Sequence, residues 1–116
     1  MSGKVVEGYL EAVASQDWPR MRAAICDDVV RIGPFGDVYE GSEPYVEFLS
    51  ALMPSLPGYS MNVARVTYLE ANRRAVAELS ETVTVDGAPL VTPEVLLFDL
   101  DADGLIARIE IFTRRA

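Results

Sequence analysis

From Tyr59 onward the chain is written in a period of two. Apolar and polar residues alternate along four runs, roughly residues 60–71, 74–85, 90–100 and 105–114, separated by ANRR, DGAP and DADG. Each break is rich in residues that tolerate a tight reversal, and none is long enough for a parallel crossover. The pattern therefore predicts a four-stranded antiparallel meander. One face of that sheet is apolar and has to be covered.

The first half of the chain supplies the cover. Residues 4–15, KVVEGYLEAVAS, set Val6, Tyr9, Leu10 and Val13 at helical spacing. Asp17 is placed to cap a second helix, with Pro19 in its tolerant first turn and Met21, Ala24 and Ile25 facing inward. VVRI reads as a short strand, GPFGD as a turn, and Val38 and Tyr39 as the returning strand. Ser42 is expected to cap a third helix, with Pro44 in its first turn and Tyr45, Phe48, Leu49 and Leu52 as its apolar stripe, and Pro54 ends it. Three N-terminal helices packed on a curved, mostly antiparallel sheet make an α+β fold with a cone-shaped, barrel-like interior. The 116 residues suit one domain, spanning 1–116.

Strand phase then exposes an anomaly. With the DGAP reversal centred between Gly87 and Ala88, Glu81 faces Glu94, Leu79 faces Leu96 and Val83 faces Thr92, all on one side of the sheet. A following reversal at Asp103-Gly104 sets Asp99 opposite Arg108, Ile109 opposite Phe98 and Ile111 opposite Leu96. The inner face is thus apolar across three strands except at two glutamates. Like charges directly opposite destabilise a sheet, and a bare buried carboxylate is expensive. One member of such a pair is expected to hold a proton at neutral pH, leaving one acid and one base. Two other arrangements fit the same residues: a bulge at Pro93 that turns Glu94 outward, or a hydrated position for both carboxylates at the rim.

Composition narrows the chemistry. Ten basic against eighteen acidic residues give a net charge of −8, which disfavours nucleic acid and anionic lipid surfaces. There is no histidine, so Ser-His and Cys-His nucleophiles and imidazole-based metal sites are excluded, and acid–base work falls to Asp, Glu, Tyr, Lys or Cys. Cys26 is the only cysteine and reads as a small buried filler. Glu7 and Glu11 interrupt the N-terminal apolar stretch, unlike a signal peptide, and no apolar run nears the ~20 residues of a membrane span. A cytoplasmic location follows as an expectation. GPFG lacks the glycines and lysine of a phosphate loop, and a carboxylate metal site would suit phosphate substrates, so neither cofactor nor metal is expected. The outward residues Val91, Val95, Leu97 and Phe112 form a patch that suggests a homodimer through the outer sheet face.

The stretch YLEAVASQDWPRMRAAICDDVVRIGPFGDVYEG, together with the ending FDLDADGLIARIEIF, resembles the nuclear transport factor 2-like superfamily over essentially the whole chain. That superfamily includes ketosteroid isomerases, SnoaL-like polyketide cyclases and limonene epoxide hydrolases. The resemblance implies a cone-shaped pocket for a small hydrophobic molecule. Laid on the ketosteroid isomerases, the oxyanion-binding tyrosine falls on Tyr9, the general-base aspartate on Gly33 and the protonated aspartate on Leu96. One of three catalytic groups is therefore retained. The Asp-Arg-Asp set of the epoxide hydrolases is not matched, its last-strand aspartate falling near Ile111.

The resulting candidates are Glu81, Glu94 and Tyr9 for catalysis. Arg31, Phe35, Phe48, Leu79, Leu96, Phe98, Ile109 and Ile111 are the candidates for contact with substrate. Trp18, Tyr45 and Tyr59 suit a cavity lining and a packed core equally well. The expected activity is cofactor-independent carboxyl acid–base chemistry on a small apolar molecule, of isomerase, cyclase, dehydratase or epoxide-opening type. A carrier of hydrophobic ligands and a dimeric interaction module are the competing readings.

Overall fold

A computed structural model describes residues 3–114. Helix α1 spans Gly3–Ser15 and α2 spans Trp18–Ala24, followed by strands β1 (Ile25–Ile32) and β2 (Val38–Glu40). Helix α3 (Ser42–Leu52) runs into a 3₁₀ turn at Met53–Ser55. Strands β3 (Ser60–Leu69), β4 (Arg74–Val85), β5 (Ala88–Leu100) and β6 (Ile106–Thr113) complete the chain. They form one six-stranded sheet in the order β2-β1-β6-β5-β4-β3. The meander is as expected, and β1 extends it by lying parallel to β6 while pairing antiparallel with β2. Register irregularities between Val63 and Arg65, and between Asp99 and Leu100, bend the sheet toward the helices. Among the described residues no helix is long and apolar enough to cross a membrane.

Local chemistry accounts for the element ends. The Asp17 carboxylate accepts from the Arg20 amide at 3.3 Å, and Pro19 sits in the first turn of α2. Ile25, expected on that helix, instead opens β1, which starts before VVRI. The cap of α3 is Gly41 rather than Ser42. Gly41 takes φ +98° while its amide donates to the Val29 carbonyl at 2.7 Å, so the chain enters the helix from a left-handed conformation that suits glycine. Ser42 becomes the first helical residue and is buried.

The β4–β5 register differs from the expected one by two residues. Its reversal lies at Asp86-Gly87, both with positive φ (52° and 78°), as a two-residue primed hairpin turn demands. Asp and Gly tolerate that region, whereas Ala88 does not, so the turn sits one residue earlier. Glu81 consequently faces Thr92, Leu79 faces Glu94, and Ala77 faces Leu96. A slip by an even number keeps every side chain on its face. The β5–β6 register is as expected, with Leu96 facing Ile111, Phe98 facing Ile109 and Asp99 facing Arg108. The ion pairs differ from that alignment: Arg74 takes Asp99 at 2.8 Å and Arg108 takes Glu110 at 3.2 Å.

The core lies between the helices and the concave face of the sheet. Val6 and Leu10 of α1, Met21 of α2 and Tyr45 of α3 meet Phe98, Ile106 and Ile109 of the sheet, all essentially inaccessible to water. The closed part of the cone is therefore solid, and the space that remains lies toward its open end.

Candidate functional site

That space is a cavity of about 210 Å³ bounded by α1, α3, the following 3₁₀ turn and the concave sheet. Each wall contributes a polar group. Tyr9 comes from α1, Tyr45 from α3, Arg31 from β1, Glu81 from β4 and Glu94 from β5, with Tyr59 placed just ahead of β3. Leucines and methionines supply the rest, including Leu79, Leu96, Met53 and Met61.

The two glutamates sit diagonally across the β4–β5 ladder instead of directly opposite, because Glu94 pairs with Leu79 and Glu81 with Thr92. Diagonal neighbours on one face remain within reach of long side chains. Burial pushes the Glu94 carboxyl up to about 9, helped by a hydrogen bond to Glu81 and by that residue's negative charge, with Arg31 pulling the other way. Glu94 is therefore held in its protonated form at neutral pH. The hydroxyl of Tyr59 donates to Oε2 of Glu81. Burial, and then Glu81, hold Tyr59 in its protonated form well above the usual phenol range.

Backbone packing seats Tyr59. The Thr84 amide donates to the Pro57 carbonyl at 2.7 Å, tying the segment before β3 to β4. Gly58, at φ +65°, lies against Thr84 so closely that a Cβ there would stand 2.3 Å from its Oγ1. Only glycine allows this approach, and it delivers the next residue to the carboxylate.

A second polar group lies beneath. The hydroxyls of Tyr9 and Tyr45 hydrogen-bond to one another, and burial keeps both protonated. Tyr9 also meets Phe98 edge-on, with centroids 5.8 Å apart. The Arg31 guanidinium lies 5.3 Å from the Phe48 ring centroid and 5.9 Å from those of Tyr39 and Tyr45. Its Nη1 donates to Asp37 Oδ2 at 2.7 Å. Asp37 fills the space beside Gly33, where a Cβ would stand 2.3 Å from its Oδ1. The position that the resemblance gives to a general-base aspartate is thus a glycine overlaid by a neighbouring carboxylate already committed to Arg31.

The cavity brings together Tyr9, Arg31, Leu79, Glu81, Glu94, Leu96 and Ile111 of the sequence candidates. Four others are elsewhere. Phe35 is 76% exposed in the turn before β2, because GPFG reverses the chain outside the cone. Phe48 stacks on Tyr39 at 4.2 Å and does not line the cavity. Phe98 and Ile109 share the inner face as expected but are packed solid in the closed end of the cone. Tyr45 and Tyr59 prove to be lining residues. Met53, Leu56 and Met61 were missed altogether, whereas Thr92 had been placed on the inner face without a role. Strand parity could have found Met61, which pairs with Glu81 across β3–β4.

Comparison with known proteins agrees with this architecture. Residues 6–109 match the family model described as SnoaL-like domain. None of the curated proteins matches significantly. Among solved structures, an LEH-like epoxide hydrolase from M. tuberculosis superposes with a TM-score of 0.83 at 18% identity, covering 97% of this chain and 82% of its own. A protein of unknown function with a cystatin-like fold, from Methylobium petroleophilum PM1, gives 0.86 at 19% identity, covering 99% and 76%. A provisionally assigned polyketide cyclase from Xanthomonas campestris pv. campestris gives 0.77 at 24% identity, covering 96% and 88%.

Proposed function

The chain belongs to the SnoaL-like domain family, and from that premise we propose that it is a cofactor-independent enzyme acting on a small, mostly apolar molecule by carboxyl acid–base chemistry. One observation carries the reading: two glutamates on neighbouring strands line one largely apolar cavity, with the hydroxyl of Tyr59 bonded to Glu81. Such a pair is costly for folding and suited to moving protons.

In this mechanism the Glu81 carboxylate removes a proton alpha to a carbonyl, or from a water molecule. Glu94 donates its proton to the oxygen that gains electron density. The total charge of the pair is unchanged, since one carboxylate is made as the other is neutralised. Tyr9 and Tyr45 hold two hydroxyl hydrogens and use one between themselves, which leaves one for a substrate oxygen at the lower end. Isomerisation, aldol-type cyclisation, dehydration and epoxide opening all follow this polarity.

The test uses a generic reaction. Deuterium exchange alpha to the carbonyl of 3-methylcyclohexanone in D₂O should be accelerated by the protein, and Glu81→Gln should lose roughly 10²–10⁴ of that acceleration. Equal rates for the two proteins would refute the assignment.

A non-catalytic carrier of hydrophobic ligands is the second reading, favoured by Gly33 and Leu96 standing where the isomerases have carboxylic acids. Under either reading we also propose a homodimer through the outer sheet face, where Val91, Val95 and Phe112 are exposed. Sedimentation at micromolar concentration as a monomer would contradict it.

A further inference from the structure

We propose that the ligand is uncharged, compact enough to contain about one ring, and carries a hydrogen-bond-accepting oxygen; fused multi-ring molecules and organic anions are excluded. This deepens the reading above and takes the same cavity as its site.

Size is set by volume. A dry cavity of about 150 Å³ accommodates benzene, so about 210 Å³ takes, in proportion, roughly eight to ten non-hydrogen atoms. The lower end does not yield: Tyr9, Tyr45 and Phe98 are at most 2% exposed and pack on one another and on the helices. A fused four-ring skeleton has far more atoms than this enclosed space admits, and its excess apolar surface would stand in solvent at the open end.

Charge is set by what is already paired. Arg31 is the only cation among the described lining residues; its Nη1 pairs with Asp37 at 2.7 Å against three aromatic rings, while its Nε is buried without a hydrogen-bond partner. An anionic ligand would meet the carboxylates of the cavity, while the charge of its one cation is already offset by Asp37. A cationic ligand would find the Glu81 carboxylate already bonded by Tyr59 and facing Arg31 nearby. The proton of Glu94 and the spare hydroxyl hydrogen of the Tyr9–Tyr45 pair remain, and both are donors. A neutral oxygen acceptor on a hydrocarbon body satisfies them.

Methyl signals of Met53 and Met61, which line the cavity, report occupancy by NMR without any turnover. Three probes decide the matter at pH 7: 3-methylcyclohexanone, 3-methylcyclohexanecarboxylate and progesterone. The ketone is expected to shift both methyl signals, the carboxylate to bind at least tenfold more weakly, and progesterone to leave the signals in place. Raising the pH to 10 ionises about nine-tenths of Glu94, weakening the ketone about tenfold. Glu81, Arg31 and Tyr59 also face Glu94, while burial keeps Tyr9 and Tyr45 protonated at that pH. Glu94→Gln, which keeps a donor but cannot ionise, should remove that pH dependence.

Progesterone or the carboxylate binding as tightly as the ketone would overturn the proposal, as would failure of the ketone to bind at millimolar concentration. The two levels separate cleanly. Ketone binding without deuterium exchange sinks the enzyme and leaves the ligand class standing. Exchange together with tight progesterone binding does the reverse.

Discussion

Glutamine in place of Glu94 should stabilise the protein at neutral pH, and the gain should grow as the pH rises. In the folded chain Glu94 holds its proton to about 9, against an ordinary value of 4.5. Below the ordinary value both folded and unfolded chains are protonated and the residue contributes no pH dependence. Between the two values the unfolded chain releases its proton while the folded chain keeps it, so the native state loses stability with each unit. Above about 9 both forms are ionised and the loss levels off. The interval up to pH 7 is about two and a half units, which at 1.36 kcal/mol per unit is ~3.4 kcal/mol. Glu94 is only part-buried, and solvent screening reduces that figure to roughly 1.5–2 kcal/mol. Glutamine preserves the size and a donor toward Glu81 while removing the ionisation. Urea unfolding of both proteins should show a gap near zero at pH 4, about 2 kcal/mol at pH 7 and more at pH 9. A gap that is flat across this range, or a less stable variant at pH 7, would show that the carboxyl is not held protonated by its surroundings.

Four further substitutions probe the supporting structure. Tyr59→Phe deletes the donor to Glu81; a hydrogen bond to a charged group is worth ~1.5 kcal/mol, so ketone exchange should fall about tenfold with the circular dichroism unchanged. Gly33→Ala sets a methyl group 2.3 Å from Asp37 Oδ1, and expelling that carboxylate from Arg31 should cost roughly 1–3 kcal/mol in urea unfolding. Phe98→Ala empties the closed end of the cone and should cost about 3–5 kcal/mol, whereas Phe35→Ala, at an exposed turn, should stay within ~0.5 kcal/mol.

Much of the architecture was legible because it rests on period and punctuation. The three helices and the four-stranded meander follow from apolar spacing, and both glutamates were assigned to the inner face even though their register was off by two. Parity survives such an error; a partner does not. What failed were features set by backbone conformation or by distant contacts. Ala88 was allowed into a turn whose two central residues need positive φ. Ser42 was preferred as a cap on residue type, although the chain arrives there through a left-handed Gly41. The aromatics were harder still, since a ring suits a core and a cavity alike. Phe98 and Tyr59 differ only in how far along the cone their elements carry them, and hydrophobic pattern contains no such coordinate. Pairing of β1 with β6, which brings Arg31 into the site, depends on a contact between distant parts of the chain.

The two polar groups of the cavity differ in a way that bears on which one reacts. Around Arg31 the charges close on themselves: guanidinium against Asp37, Asp37 in the hollow left by Gly33, and aromatic faces about the cation. Around Glu94 the balance is incomplete, because two carboxyls stand close together with burial holding Glu94 protonated, and the hydroxyl of Tyr59 reaches only Glu81. A fold selected only for stability would have no reason to keep that pair, since a glutamine at either position removes the repulsion and retains a hydrogen bond. The positions that the resemblance gives to the carboxylic acids of the ketosteroid isomerases are Gly33 and Leu96 in this chain, and the two glutamates stand elsewhere on the same concave face.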